Sequence, residues 1–345
     1  MRAKVLTINL EGEGCFLGME KGCFVIKDKQ GKAERIPLFE NEIGEIVLTS
    51  GNCISTGVLA SCGFWDIPII VKTKNGNPVA VLRSLDDDSH VKTRLAQYEA
   101  LNNGKGLEIA KRIVLSKVEG QNMVLRKYGL RQLDLMAFKH RIEGLNCESL
   151  KALRYRLNQL ESRISKHYFE EIFRLFPESV RAERRCGWKA YDGLNNTFNL
   201  AYTMLKFRVH SAILKAHLEP YLGFVHSEQF GKPSLVCDLM ELYRYLIDDF
   251  LIGFSRSLTA KDFTVKPEWF SANRLGKRQV LSKEKTRELT EKLNDCFNSR
   301  VNVPRIRHGK TQTLNTLINE EALLLAKYLR NEKPMWKPRI VLTSD

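Results

Sequence analysis

From the N-terminus to about residue 85, apolar positions come in short runs broken by turns. Lys4–Leu10, Cys15–Leu17, Cys23–Lys27, Glu45–Leu48 and Ile67–Lys72 are brief and rich in β-branched residues. They are separated by Lys21-Gly22, Lys29-Gln30-Gly31 and Lys74-Asn75-Gly76-Asn77-Pro78, so they predict strands. Ser55–Cys62 is the exception and predicts a short helix stopped by Gly63. The acidic run Ser84–Ser89 marks a boundary. From His90 onward the apolar period lengthens to three and four. It predicts helices over Val91–Leu101, Leu107–Tyr128, Leu150–Phe176, Thr197–Leu218, Ser234–Phe254, Lys283–Phe297 and Leu314–Leu329. Pro177, Pro220, Pro233 and Pro334 fall at or outside the ends of these segments, where proline is tolerated. The expected architecture is α+β. A small N-terminal β-rich, β-sandwich-like domain covers residues 1–85, and a larger all-α domain covers residues 86–345.

Composition supports two packed domains. The chain has 345 residues, 43% of them apolar, and a domain takes about 150 residues. Lys and Arg number 55 against 40 Asp and Glu, a net charge of +15. Such an excess points to a polyanionic partner, nucleic acid first; the plain alternative is a basic protein with an unspecialised surface. No apolar run reaches the roughly 18 residues of a membrane span, and the first residues lack a signal-peptide pattern. None of the eight cysteines is spaced C-x-x-C, which argues against a zinc knuckle and fits reduced thiols in the cytoplasm.

The most informative stretch is Gly223–Arg244, GFVHSEQFGKPSLVCDLMELYR. It places His226 in a loop bounded by Gly and Pro, and Asp238 and Glu241 on the helix that follows. Imidazole and carboxylate together are ligands for a divalent ion such as Mn²⁺ or Mg²⁺. Beside a polyanion, such an ion suggests phosphodiester chemistry. Asp238, Glu241, Tyr245 and Asp248 recur at helical spacing in one row, and the bland reading of that row is a solvated acidic face. His226 alone reads equally well as a structural residue, and His210 and His217 compete with it less well because they lack acidic neighbours in sequence. On the helix Leu150–Phe176, Glu161 shares a stripe with Leu157, Ile164 and Tyr168. A carboxylate there is either paired or metal-bound, or sits at the edge of the stripe and reaches water. Asp192 and Asn195 suit a helix N-cap, although Asn195 is also a candidate to orient a metal ligand or a phosphate. Arg305, Arg307, Lys310, Lys277 and Arg278 are candidate phosphate contacts.

These residues fall into four ordered motifs. Glu161 with Tyr168 and Phe169 forms the first. Asp192, Asn195, Tyr202 and Leu205 form the second, and Pro220, Gly223, Phe224 and His226 the third. Ser234, Leu235, Asp238, Leu239, Glu241 and Arg244 form the fourth. In this order they resemble the CRISPR-associated adaptation integrase and endonuclease family, Cas one. Ser162, Asn196 and Leu242 depart from the family pattern at positions outside the expected ligands. The resemblance implies a homodimer paired through the β domains and one Mg²⁺ or Mn²⁺ per helical lobe. It implies Glu161, His226 and Glu241 as metal-binding catalytic residues, with Asp238 and Asn195 in support. It further implies insertion of short DNA fragments into a CRISPR array with a small partner, Cas two. A stand-alone metal nuclease and a non-catalytic DNA-binding scaffold are the alternatives.

Overall fold

The computed structural model describes residues 5–10, 13–38, 42–74, 78–82, 84, 88–187, 190–271, 274–301 and 312–340. The chain divides into two compact units, Met1–Val91 and Lys92–Asp345, with the division one turn into the helix that begins at Asp88.

The first unit holds β1 (Val5–Leu10), β2 (Phe16–Glu20), β3 (Cys23–Lys27), β4 (Ala33–Pro37), β5 (Glu42–Thr49), β6 (Cys53–Ile54), α1 (Thr56–Phe64), β7 (Ile69–Lys72) and β8 (Pro78–Leu82). They form two four-stranded sheets, ordered β1-β5-β7-β8 and β4-β3-β2-β6. In the first, β5 runs parallel to both β1 and β7, and β8 closes the edge antiparallel to β7. One apolar core joins the inward residues of both sheets, including Ile8, Leu17, Phe24, Ile46 and Ile69, with Val58 and Cys62 from α1. The expected glycine stop of α1 is corrected. The helix runs through Gly63 to Phe64, and the chain turns at Asp66, whose φ is +50°.

The second unit begins with α2 (Asp88–Ala100), α3 (Gly104–Lys127), α4 (Leu135–Glu143), α5 (Leu150–Phe173), α6 (Gly193–Lys215), α7 (Ser234–Met240) and α8 (Arg244–Phe254). It continues with β9 (Phe263–Ser271), β10 (Arg274–Leu281), α9 (Lys283–Asn298), β11 (Arg300–Val301), β12 (Gln312–Thr313) and α10 (Leu314–Leu329). Asn103, Asp134, Ser149, Asp192, Ser282 and Thr313 each cap a helix by accepting a first-turn backbone N–H, the usual means of satisfying those donors. Asp192 therefore has the bland role that its residue type allows. The core is built from α3, α5, α6, α7, α8 and α10 around buried Tyr168, Phe198, Phe224, Tyr243 and Tyr245.

Two expectations are corrected here. The unit is not all-α, because β9 and β10 form an antiparallel ribbon. Phe263 and Leu281 pair at its root, while Val265, Trp269 and Leu275 lie exposed further out. Pro267 is tolerated because both strands of a two-stranded ribbon are edges. Nor is Ser234–Phe254 one helix. Glu241, Leu242 and Tyr243 donate their N–H groups to the carbonyls of Asp238, Leu239 and Met240, three residues back. This tight turn separates α7 from α8 and sets Glu241 at their junction.

Candidate metal centre

Four segments converge: the middle of α3 and of α5, the loop before α7, and the α7–α8 junction. The loop is held from several sides. Gln97 Nε2 donates to Leu222 O at 2.8 Å and to Glu219 O at 3.1 Å, and its Oε1 accepts from Glu219 N at 2.8 Å. Arg154 on α5 donates to the carbonyls of Gly223 (2.6 Å) and Phe224 (2.9 Å). A Cβ on Gly223 would meet Asp238 Oδ2 at 2.8 Å and Ser234 C at 2.8 Å, so only glycine lets the loop lie this close to α7.

Asp238, fully buried at 0% exposure, fixes the end of that loop. Its Oδ2 accepts from Phe224 N and Val225 N, and its Oδ1 accepts from His226 N at 2.8 Å and His226 Nδ1 at 2.7 Å. An ionised Oδ1 can only accept, so Nδ1 is the donor, and in the neutral ring the lone pair then lies on Nε2. A carboxylate holding the far nitrogen of a histidine is the usual outer support of a metal-ligating imidazole. Both oxygens of Asp238 are committed, so it is a support for His226 and not itself a free donor.

Glu161 from α5 and Glu241 from the α7–α8 junction meet at one cation, Lys117 of α3. Lys117 Nζ donates to Glu161 Oε1 and lies 2.7 Å from Glu241 Oε2. The second contact is off the hydrogen-bonding direction, so this buried oxygen has a compensating charge but no hydrogen bond. Arg244 Nη2 lies 3.3 Å from the other oxygen, Glu241 Oε1, and its guanidinium stands over the Tyr202 ring at 4.9 Å. Burial favours the neutral acid at Glu241, but the positive charges of Arg244 and Lys117, with His226 nearby, outweigh it. They hold its pKa below the ordinary carboxylate value. Lys117 is likewise penalised by burial, yet Glu241 and Glu161 keep its pKa above that of free lysine.

Behind the site, Asp248 of α8 is buried and accepts from the hydroxyls of Tyr168 (α5, 2.8 Å) and Tyr202 (α6). Burial raises its pKa to about 6 against the lowering effect of both phenols and of Arg185 and Arg244. The row Asp238, Glu241, Tyr245, Asp248 is thus no solvated face. All four residues are buried, and each acid is matched by a partner from another segment.

Among the described residues, no three His, Cys, Asp or Glu side chains stand in ligand geometry. The Lys117 ammonium lies between the two carboxylates. The donor set nevertheless fits a divalent ion. It offers two carboxylates from different helices, one of them with an oxygen that lacks a hydrogen bond, and an imidazole with its outer nitrogen already paired. Oxygen donors with one nitrogen suit Mg²⁺ or Mn²⁺.

Residues 8–288 match the family described as CRISPR associated protein Cas1. The chain belongs to the Cas1 family. The CRISPR-associated endonuclease Cas1 1 of Pyrobaculum aerophilum is 31% identical over 245 residues, 68% of this chain and 77% of that one. The CRISPR-associated endonuclease Cas1 3 of Thermus thermophilus is 27% identical over 333 residues, 95% of each chain. Among solved structures, a casposase bound to integration product matches with a TM-score of 0.71 at 20% identity, covering 97% of this chain and 92% of that chain. A partial Cas6-RT-Cas1–Cas2 complex matches with a TM-score of 0.71 at 17% identity, covering 97% and 98%. At these identities the structural likeness speaks for the Cas1 fold.

Other expected site residues lie elsewhere. Asn195 is committed to the N-terminus of α6. Its Oδ1 accepts from Cys186 N (2.8 Å) and Arg185 Nη1 (2.9 Å), and its Nδ2 donates to Arg184 O (2.9 Å) and Asp192 Oδ2 (2.9 Å). It ties residues 184–186 to the helix and does not join the Glu161–Glu241 cluster. Arg278 is not a free phosphate contact. It pairs with both oxygens of Glu268 (3.0 and 2.9 Å) and donates to Asn196 Oδ1 (3.1 and 2.8 Å), anchoring the ribbon to α6. Lys277 is exposed, whereas Arg305, Arg307 and Lys310 lie outside the described residues. Sequence reasoning missed Lys117 as a site residue. Its signal was present: a lysine in the stripe Ile113, Lys117, Gly120, Val124 of an otherwise apolar helix face, the same kind of misfit that singled out Glu161.

Proposed function

We propose that this Cas1 protein is a metal-dependent DNA endonuclease and integrase of CRISPR adaptation, and that it inserts short DNA fragments into a CRISPR array by transesterification. The convergence of Glu161 and Glu241 on a single cation, beside a histidine whose Nδ1 proton is held by Asp238, carries the reading. Glu161, Glu241 and His226 Nε2 are the groups that would hold Mg²⁺ or Mn²⁺, and such an ion stabilises charge at a phosphate and its attacking or leaving oxygen. The protein's own part is to hold its ligands in place and to bind DNA. Asp238 keeps the lone pair on His226 Nε2, and Arg244 holds Glu241 ionised. The attacking group is a DNA 3′-hydroxyl for insertion or water for hydrolysis, and no covalent bond to the protein is required.

The net charge of +15 suits a DNA partner. The casposase and Cas1–Cas2 structures that share the fold support integration chemistry and a small partner, Cas2. Pairing of two copies through the β-rich unit is supported by exposed Phe16, Met19, Phe64 and Trp65 on β2 and at the end of α1. No helix among the described residues is long and apolar enough to cross a membrane.

The test is a strand-transfer and cleavage assay in Mn²⁺, comparing wild type with Glu161→Gln, His226→Ala and Glu241→Gln. Loss of both joined and cut products in all three variants, with DNA binding retained, is expected. Full activity in any one of them would overturn the ligand assignment. Cut ends without joined strands from the wild type would favour a stand-alone nuclease.

A further inference from the structure

Lys117 and Gln121 stand one helical turn apart on α3, and both are buried. The ammonium of Lys117 lies between Glu161 and Glu241, whose carboxylates belong to the metal reading above, on which this inference rests. The Oε1 of Gln121 is a buried acceptor with no hydrogen-bond partner. Positions i and i+4 on a helix share one face, with Cβ atoms about 5–6 Å apart, within the sweep of a lysine side chain. The site therefore holds one resident cation and the two carboxylates it bridges, with one vacant acceptor a helical turn along α3.

We propose that Lys117 is a displaceable counter-cation of the metal site. It bridges Glu161 and Glu241 in the metal-free protein, and it swings to Gln121 Oε1 when a divalent ion takes its place. Two considerations support this. Without a cation, two carboxylates would face each other in a largely buried space, and breaking such an arrangement by removing one partner is strongly destabilising. With a divalent ion bound, an ammonium left in place would face a double positive charge at close range, so it must leave. The unpaired Gln121 oxygen is a destination that costs no existing hydrogen bond. Lys117 thus acts as a positioning residue. It keeps the ligand carboxylates at their posts before metal arrives, and in doing so it competes with the metal.

The test is calorimetric titration of Mn²⁺ into the full chain, with thermal unfolding in EDTA and in Mn²⁺. Lys117→Met is expected to melt at a lower temperature in EDTA, to gain a larger rise from Mn²⁺ than wild type, and to bind Mn²⁺ at least about tenfold tighter. Gln121→Leu is expected to melt in EDTA at or above the wild-type temperature but to bind Mn²⁺ several-fold more weakly. That weakening should vanish in Lys117→Met/Gln121→Leu, because no displaced ammonium then needs an acceptor. Equal or weaker Mn²⁺ binding by Lys117→Met overturns the proposal, as does a Gln121→Leu effect that persists without Lys117. If Lys117→Met does not fold, Gln121→Leu decides: weaker Mn²⁺ binding with metal-free melting at or above wild type supports displacement, and unchanged binding overturns it. Failure of the metal reading itself looks different: wild type would bind no Mn²⁺, or His226→Ala would bind it as well as wild type.

Discussion

Replacing Asp238 with asparagine exchanges one carboxylate oxygen for an NH₂ and removes the charge with little change in shape, and its consequence can be worked out from the four donors around it. Oδ2 accepts from Phe224 N and from Val225 N at 2.9 Å, and Oδ1 from His226 N at 2.8 Å and Nδ1 at 2.7 Å. Asparagine keeps one acceptor oxygen and points a donor NH₂ at the other pair. If the NH₂ replaces Oδ2, two buried backbone N–H groups lose their acceptor. Hydrogen bonds to charged groups are worth about 1.5–3 kcal/mol each, so this orientation costs about 3–6 kcal/mol. If it replaces Oδ1, only His226 N–H is stranded, at about 1.5–3 kcal/mol. The ring nitrogen Nδ1 can turn acceptor if its proton moves to Nε2. The second orientation costs less and should prevail. Asp238→Asn should then lose about 2–3 kcal/mol, a sizeable part of a typical stability of about 5–15 kcal/mol. It should also bind Mn²⁺ about 10–100-fold more weakly, the usual effect of losing an outer-shell partner, because the Nε2 lone pair is now protonated. Urea unfolding and Mn²⁺ calorimetry on the same preparation measure both. Wild-type stability with wild-type Mn²⁺ affinity would refute the reasoning outright. Reduced stability with unchanged affinity would show that His226 Nε2 is not a ligand.

Other outcomes follow from the same contacts. Burial raises the Asp248 pKa from 3.8 to about 6, so the folded state holds a proton that the unfolded chain releases at lower pH. The stability this contributes is complete below about pH 4 and is lost as pH rises through 6, by about 3 kcal/mol. Asp248→Asn, always neutral, should gain on wild type between pH 4 and 7 in urea unfolding, and parallel stability curves would contradict this. Lys277→Ala should weaken DNA binding evenly across sequences and lower the slope of log K against log salt by about 1, with no change in melting temperature. Arg278→Ala should lower the melting temperature instead, because it frees Glu268 and Asn196 at the foot of the ribbon. A Cβ at Gly120 would lie 2.3 Å from Tyr245 Cδ1, so Gly120→Ala should destabilise by about 1–3 kcal/mol through overpacking of α3 against α8; unchanged thermal unfolding would refute that packing.

How far the fold could be read from sequence depended on whether an element buries a regular face. β3, β5 and β7 were visible because Phe24, Ile43, Ile46, Leu48 and Ile69 line a core, and α9 and α10 because their apolar rows are continuous. The β9–β10 ribbon stayed hidden because much of its length is exposed, so no alternation marks it. The break between α7 and α8 was hidden for a different reason. Its turn tightens the hydrogen bonds by one residue without disturbing the apolar spacing on either side. At the site, spacing placed Asp238 and Glu241 in one row but could not assign their roles. Asp238 turns into the 224–226 backbone and Glu241 into the space shared with α3 and α5, whose Lys117 and Glu161 lie far off in sequence. Lys117 and Arg244 complete the charge balance around Glu241; a lysine in an apolar stripe carries the same signal as a glutamate.

The position of a bound metal ion decides the roles of Glu161, Glu241 and His226. Crystals of the wild-type protein soaked in Mn²⁺ and measured at the manganese absorption edge locate the ion directly by anomalous scattering. One strong peak per chain is expected, in contact with Glu161, Glu241 and His226 Nε2, with the Lys117 ammonium moved away from it. A peak held by Asp238, a peak remote from Glu161 and Glu241, or no peak at saturating Mn²⁺ would contradict the account.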